Sequence, residues 1–164
     1  MLVISDTTPI ISLAKANRLY LLERIFGKVL IPKAVFEELT ENTYYVEEAV
    51  QIKNCSFLVC ENVKNQESVK ILRNVTGLDA GESEAIVLYE ELQADMIVMD
   101  ERKGRKVAKQ LELKCVGTVG ILLQAYDEKL ITTEEVKECF EIFERKGIRM
   151  GERLKQYAMD YIGY

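Results

Sequence analysis

The sequence predicts an α/β protein in which βαβ units wrap a parallel sheet. Short β-rich apolar runs alternate with longer stretches of helical period, the pattern such units leave. Pro9 and Pro32 each follow a strand run and suit the first turn of a helix. The 164 residues contain no repeat, no low-complexity stretch and no dividing linker. That fits one domain over 1–164, long enough to bury a core without staples.

Taken in order, the run at 2–5 is the first strand, and about 8–26 holds two helices. A second strand at 28–31 precedes helices at 33–40 and 43–52. The third strand, 57–60, is followed by helical periods at 66–75 and 79–93. Strands at 96–99 and 114–116 flank a helix at 101–111, and 118–129 is helical again. Beyond Thr132 no strand is added, so 132–164 reads as a helical extension with helices at 133–145 and 150–161. Its Val136, Cys139, Phe140 and Phe143, then Leu154, Tyr157 and Tyr161, recur at helical spacing. Packing against the sheet-covering helices is the favoured reading; the sharper one is a subunit interface, and with it a homodimer.

Composition removes several chemistries. Histidine is absent, which excludes Ser-His-Asp and Cys-His catalysis, His-ligated zinc and imidazole proton shuttles. The cysteines at 55, 60, 115 and 139 form no C-x-x-C pair and read as buried thiols. The start, MLVISDTTPI, has no basic segment ahead of its apolar run, so a cytoplasmic location is expected. No apolar run reaches the roughly 18 residues of a membrane span. A net charge of −5 provides no global field for nucleic acid.

Carboxylates are what remain, and four occupy positions that propensity does not demand. Asp6 ends the first strand and Asp100 the fourth. Ligands of open α/β sheets bind beyond the carboxyl ends of strands, where the strand order reverses. Were those strands neighbours there, the two backbones would lie ~5 Å apart. Paired charges 4 Å apart repel by about 4 kcal/mol at an effective dielectric near 20, so a proton or a cation must intervene. Hard oxygen ligands without imidazole or thiolate select Mg²⁺ or Mn²⁺. Against this stands helix capping, a favoured role for Asp. Thr8, directly before Pro9, can cap the first helix and leave Asp6 free. Asp100 has the stronger structural alternative, because a helix follows at once.

Helical phase picks the other two. Glu38 lies ~60° around its helix from Val35, whereas Glu37 is ~160° away. Glu84 is in line with Leu88 and Leu92, and Glu82 is ~120° from Leu88. Asp79 and Glu82 also form a D-x-x-E capping box, which accounts for Glu82 and leaves Glu84 unexplained.

With these acids the chain resembles the PIN-domain family, in a prokaryotic PIN-like branch. The stretches that carry the likeness are SDTTPIISLAK, VLIPKAVFEEL, LDAGESEAIVL, MIVMDERKGRKVAKQLELKCVGTVGILLQA and, more loosely, ERKGIRMGERL. They span nearly the whole chain in order. The resemblance implies a three-layer α/β/α fold with a parallel sheet of order 3-2-1-4-5. It further implies metal-dependent RNA cleavage, familiar from VapC-type toxins, with RNA as substrate and an antitoxin protein as partner. The family's acids fall on Asp6, Glu38, Glu84 and Asp100. The third is often Asp in the family, which leaves Glu82 against Glu84 the open choice. In the implied metal-assisted hydrolysis, Thr7, Thr8 and Thr118 are candidates to bond ligand waters or phosphate. Arg102 and Arg105, in a basic run directly after Asp100, are candidates for phosphate contact.

Other α/β readings fit less well. No G-x-G-x-x-G follows the first strand and no G-x-x-x-x-G-K-[ST] occurs. A haloacid-dehalogenase-type phosphatase needs a second Asp two residues after the first, where Thr8 stands. A response-regulator-like receiver needs an acidic pair at the first strand, which is missing. The closest rival is a PIN-like protein that binds nucleic acid or regulates without cleaving.

Overall fold

The computed structural model describes residues 1–164. Five strands, β1 (Val3–Ser5), β2 (Val29–Pro32), β3 (Leu58–Glu61), β4 (Met96–Val98) and β5 (Cys115–Val116), form one parallel sheet of order β3-β2-β1-β4-β5. Ten helices connect and flank them: α1 (Thr7–Lys15), α2 (Tyr20–Phe26), α3 (Lys33–Glu41), α4 (Val46–Lys53), α5 (Gln66–Thr76), α6 (Ala80–Leu92), α7 (Arg102–Gln110), α8 (Thr118–Asp127), α9 (Thr133–Arg145) and α10 (Glu152–Tyr161). A 3₁₀ turn at Thr43–Tyr45 precedes α4.

The central strands are apolar on both faces, as a sheet covered by helices on both sides requires. The pleat sends alternate residues to opposite layers. Val3, Val29, Ile31 and Val98 join a 27-residue core with α1, α2, α8 and α9. Ile4, Leu30, Ile97 and Met99 join a 15-residue core with α6 and α7. The helical extension shares the larger core: Val136, Cys139, Phe140 and Phe143 of α9 are buried in it, with Ala158 and Ile162. On α10, Leu154, Tyr157 and Tyr161 face outward instead. No helix is long and apolar enough to cross a membrane.

Two local expectations change. Pro32 ends β2 and occupies the N-cap of α3 rather than its first turn, a place where its missing N–H costs no ladder bond. The four thiols are free, but Cys139 alone is fully buried; Cys60 is exposed because β3 is an edge strand.

The strand order reverses at β1, which lies between β2 and β4. Ser5 pairs in register with Val98, and the Asp6 amide donates to the Val98 carbonyl at 2.9 Å. The carboxyl ends of both strands therefore open onto one edge.

Candidate functional site

Asp6 is the most buried acid of that edge, 3% exposed. Backbone geometry makes it the N-cap of α1, yet its side chain makes no capping hydrogen bond, and Thr8 lies inside the helix rather than capping it. Burial pushes its pKa up to about 8, and Asp79, Glu82 and Glu38 push the same way against the Thr7 amide. No ion pair relieves it. Gly81 makes the room: a Cβ there would lie 3.4 Å from Asp6 Oδ1 and 3.5 Å from Glu38 Oε2. Glu38 comes in from α3 and is held by the Thr7 hydroxyl, which donates to Oε2 at 2.8 Å.

Of the two candidates on α6, Glu82 is the one beside Asp6. Its amide donates to the Asp79 carboxylate at 2.8 Å, and its own carboxylate accepts from the Asp79 amide at 3.0 Å, closing the capping box. That fold-back wedges it between α6 and α7, where Gly104 leaves space for Oε1. Burial, Asp79 and Glu101 raise its pKa, while the Asp79 amide and Lys103 oppose. Glu84, two residues on and ~200° around the helix, turns to α3 and accepts from the Ala34 amide at 2.8 Å. It serves the N-terminus of α3 and is not among the acids that raise Asp6. The stripe criterion misdirects here because α6 is buried on nearly every side, with Gly81 through Ser83 and Ala85 through Leu88 all inside. Such a helix has no single inward face.

Asp100 takes a separate position. Asp6 follows the last residue of β1 and Asp100 lies two residues past the end of β4, and Asp6 is not among the charges that shift Asp100. The pair does not meet as a repelling couple. Asp100 does not cap the helix that follows it, α7, whose N-cap is Glu101. Instead it caps α8: Oδ1 accepts from the Thr118 amide at 2.7 Å and Oδ2 from the Thr118 hydroxyl at 2.6 Å. Burial raises its pKa, opposed by those two bonds and by Arg105. Glu101 stands between the two groups, accepting from the Thr8 hydroxyl at 3.3 Å and acting on Glu82. Asp79 and Glu101 are the acids that sequence reasoning did not include; the D-x-x-E box was the available signal for the first.

The polar candidates divide by what they touch. Thr7 holds Glu38 and Thr118 holds Asp100, so both hydroxyls are engaged with acids. Arg105 Nη1 donates to the Met99 carbonyl at 2.9 Å, which also accepts from the Cys115 thiol at 3.9 Å. It steadies the backbone ahead of Asp100 instead of facing out. Arg102 is exposed and makes no ion pair.

A model of the PIN-domain family DUF3368 matches residues 2–163. The chain belongs to the PIN-domain family. Neither the curated proteins nor the solved structures give a match. The five-stranded parallel sheet of order 3-2-1-4-5 agrees with that membership.

PIN domains are generally nucleases and typically use divalent metals, so the donor set of this PIN domain bears on fit. No group of three or more of its acids and thiols is gathered into a ready-made metal cage. Mg²⁺ does not require one, since it keeps several waters and takes only one or two carboxylates. The donors are hard oxygens, and Asp6 is a buried acid among acids with no cation of its own. A divalent cation supplies the missing charge, and on that ground the residues fit it.

Proposed function

We propose that this PIN domain is a metal-dependent endoribonuclease that hydrolyses RNA phosphodiesters. The observation that carries the reading is Asp6: 3% exposed, facing Asp79, Glu82 and Glu38, and without an ion pair. Asp6, Glu38 and Glu82 are the residues that would hold Mg²⁺ or Mn²⁺, with Asp100 at the rim and Glu82 taking the place expected of Glu84. When bound, the ion supplies Lewis-acid polarisation of the phosphodiester and an acidified water. The chain's own contribution is positioning. Thr7 fixes the Glu38 carboxylate, Thr118 orients Asp100 through both of its oxygens, and Arg105 pins the turn that carries Asp100.

The test is cleavage of mixed structured RNAs in Mg²⁺ and Mn²⁺, with Asp6→Asn as the control. Metal-dependent cleavage that falls by orders of magnitude in the variant supports the reading. Equal cleavage in both proteins, or none in either, refutes it. The resemblance to VapC-type toxins extends the proposal to a cytoplasmic toxin with an antitoxin protein as partner. Growth arrest on expression, relieved by Asp6→Asn, checks that extension. A non-catalytic PIN protein that binds nucleic acid is the second reading, favoured by the lack of a three-acid cage; RNA binding without cleavage would establish it.

A further inference from the structure

α7 carries five cations, Arg102, Lys103, Arg105, Lys106 and Lys109, and no acid. Two of them are occupied within the fold. Lys103 Nζ donates to the Gly77 carbonyl at the end of α5, 3.2 Å away, and Arg105 is committed to Met99. Arg102, Lys106 and Lys109 are exposed and make no ion pair. They recur at i, i+4 and i+7, a run of ~10 Å along one helix face. Arg149, in the turn between α9 and α10, is exposed and equally free of an ion pair. A protein of net charge −5 thus collects four uncommitted cations near its acidic edge.

Two hollows connect them. One, of about 600 Å³, runs from Thr8 and Asp100 past Tyr45 and Arg102 to Arg149 and Met150. The other, of about 510 Å³, follows α7 and is lined by Arg102, Arg105, Lys106 and Lys109, with Glu112 as its one acid. Arg102 lines both, and Asp100 lines the first. Tyr45 is only partly buried and presents an aromatic wall in the first hollow. Cations spaced along a groove with an aromatic surface are what unpaired nucleic acid uses, phosphates on the charges and a base on the ring.

We propose that the two hollows form one track for single-stranded RNA, with Arg149 and Arg102 holding phosphates on one side of Asp100, Lys106 and Lys109 on the other, and Tyr45 stacking on a base. This rests on the nuclease reading for its purpose, but it is a binding statement and is tested as one. It also makes the turn between α9 and α10 a wall of the substrate site, beyond the role of the helical extension in the core. Lys103, though in the same basic run, is held at the Gly77 carbonyl and lines neither hollow.

The experiment is fluorescence anisotropy of a labelled mixed-sequence RNA single strand with the full chain in EDTA, where turnover is absent. Arg102→Ala and Arg149→Ala should each weaken binding severalfold and reduce the slope of log K against log salt by ~0.7, one phosphate apiece on a single strand. The double variant Lys106→Ala/Lys109→Ala should reduce that slope by about twice as much. Tyr45→Ala should weaken binding about tenfold with the slope unchanged, and Tyr45→Phe should restore it. Lys70→Ala, on α5 and away from both hollows, should bind as wild type does. Wild-type affinity and slope in the Arg102, Arg149 and lysine variants would overturn the track. So would tighter binding of duplex than of single strand, or no binding by the wild type. Cleavage is read separately: strand binding with these signatures but no cleavage in Mg²⁺ refutes the nuclease reading and leaves the track intact. Unchanged binding in every variant, with cleavage present, does the reverse.

Discussion

Asp6, the N-cap of α1, and Glu48, on α4 packed against α1, are carboxylates of nearly equal exposure, 3% and 6%. Glu48 meets Lys15, whose Nζ lies 2.8 Å from Oε1. Burial alone would raise its pKa, but the Lys15 hydrogen bond and charge, a backbone hydrogen bond and Lys146 together outweigh that and the net shift is downward. Asp6 meets only acids, and burial with their repulsion carries its pKa to about 8. Glu48 is complete within the chain, whereas Asp6 needs either a proton or an external cation. At similar exposure the two differ in the charge they face: Glu48 has a lysine, whereas Asp6 has acids that add to the effect of burial.

The largest effect expected from that difference is in the pH dependence of stability of the metal-free protein. Between pH 3.8 and about 8 the folded state keeps a proton on Asp6 that the unfolded chain releases. Stability should therefore fall as pH rises through that window, by about 1.4 kcal/mol per pH unit and on the order of 5 kcal/mol in total. Urea unfolding in EDTA should show the decline in wild type and lose it in Asp6→Asn. Glu48 acts on the acid side. Its stabilisation is full above the ordinary value of 4.5 and is lost as pH falls through its lowered pKa. Profiles of the same shape for wild type and Asp6→Asn would break the comparison.

Next in size is Lys15→Met, which strands the Glu48 charge. The lysine is 21% exposed, so the loss should sit at the low end for a broken buried pair, about 3 kcal/mol at pH 7. Denaturant midpoints should show the gap narrowing as pH falls through the lowered pKa of Glu48, where its charge is lost in both proteins. A constant gap would mean that packing, not charge, is what Lys15 provides.

Gly117→Ala addresses the rim. A Cβ there would stand 2.8 Å from Asp100 Oδ1 and 3.1 Å from Arg105 Nη1, displacing the carboxylate. On the proposed function kcat/KM for RNA should fall about a hundredfold, with a far smaller change in thermal midpoint. A loss confined to stability would leave Asp100 a cap for α8 and nothing more.

The smallest effect belongs to Glu84→Gln. The amide oxygen can still accept from Ala34, so about 0.5 kcal/mol of charge–helix interaction is at stake. Cleavage should stay near wild type, while Glu82→Gln lowers it strongly. The opposite pattern would return the third acid to Glu84.

Much of the fold could be read from the residues. The five apolar strand runs were long enough and bounded clearly enough to locate, and the D-x-x-E box starts α6 as its chemistry predicts. Asp6 and Glu38, picked out by a strand end and by the phase of Val35, lie together beside Gly81. What escaped was decided by packing between elements. Glu82 turns inward because Gly81 and Gly104 leave space on two sides, which periodicity along one helix does not encode. Arg105 is committed inward by a carbonyl six residues before it in the chain. Tyr45 and Arg149 border one hollow across about a hundred residues of sequence, and the Lys15–Glu48 pair spans 33.

The account depends most on the claim that Asp6 waits for a cation, and thermal unfolding at pH 8 with and without Mg²⁺ or Mn²⁺ tests it most directly. At that pH the proton no longer neutralises Asp6 fully, and an ion that binds only the folded state stabilises it by mass action. Wild type should melt several degrees higher with metal, Glu84→Gln should match it, and Asp6→Asn should show little or no shift. An equal rise in wild type and Asp6→Asn would place the ion elsewhere and contradict the account.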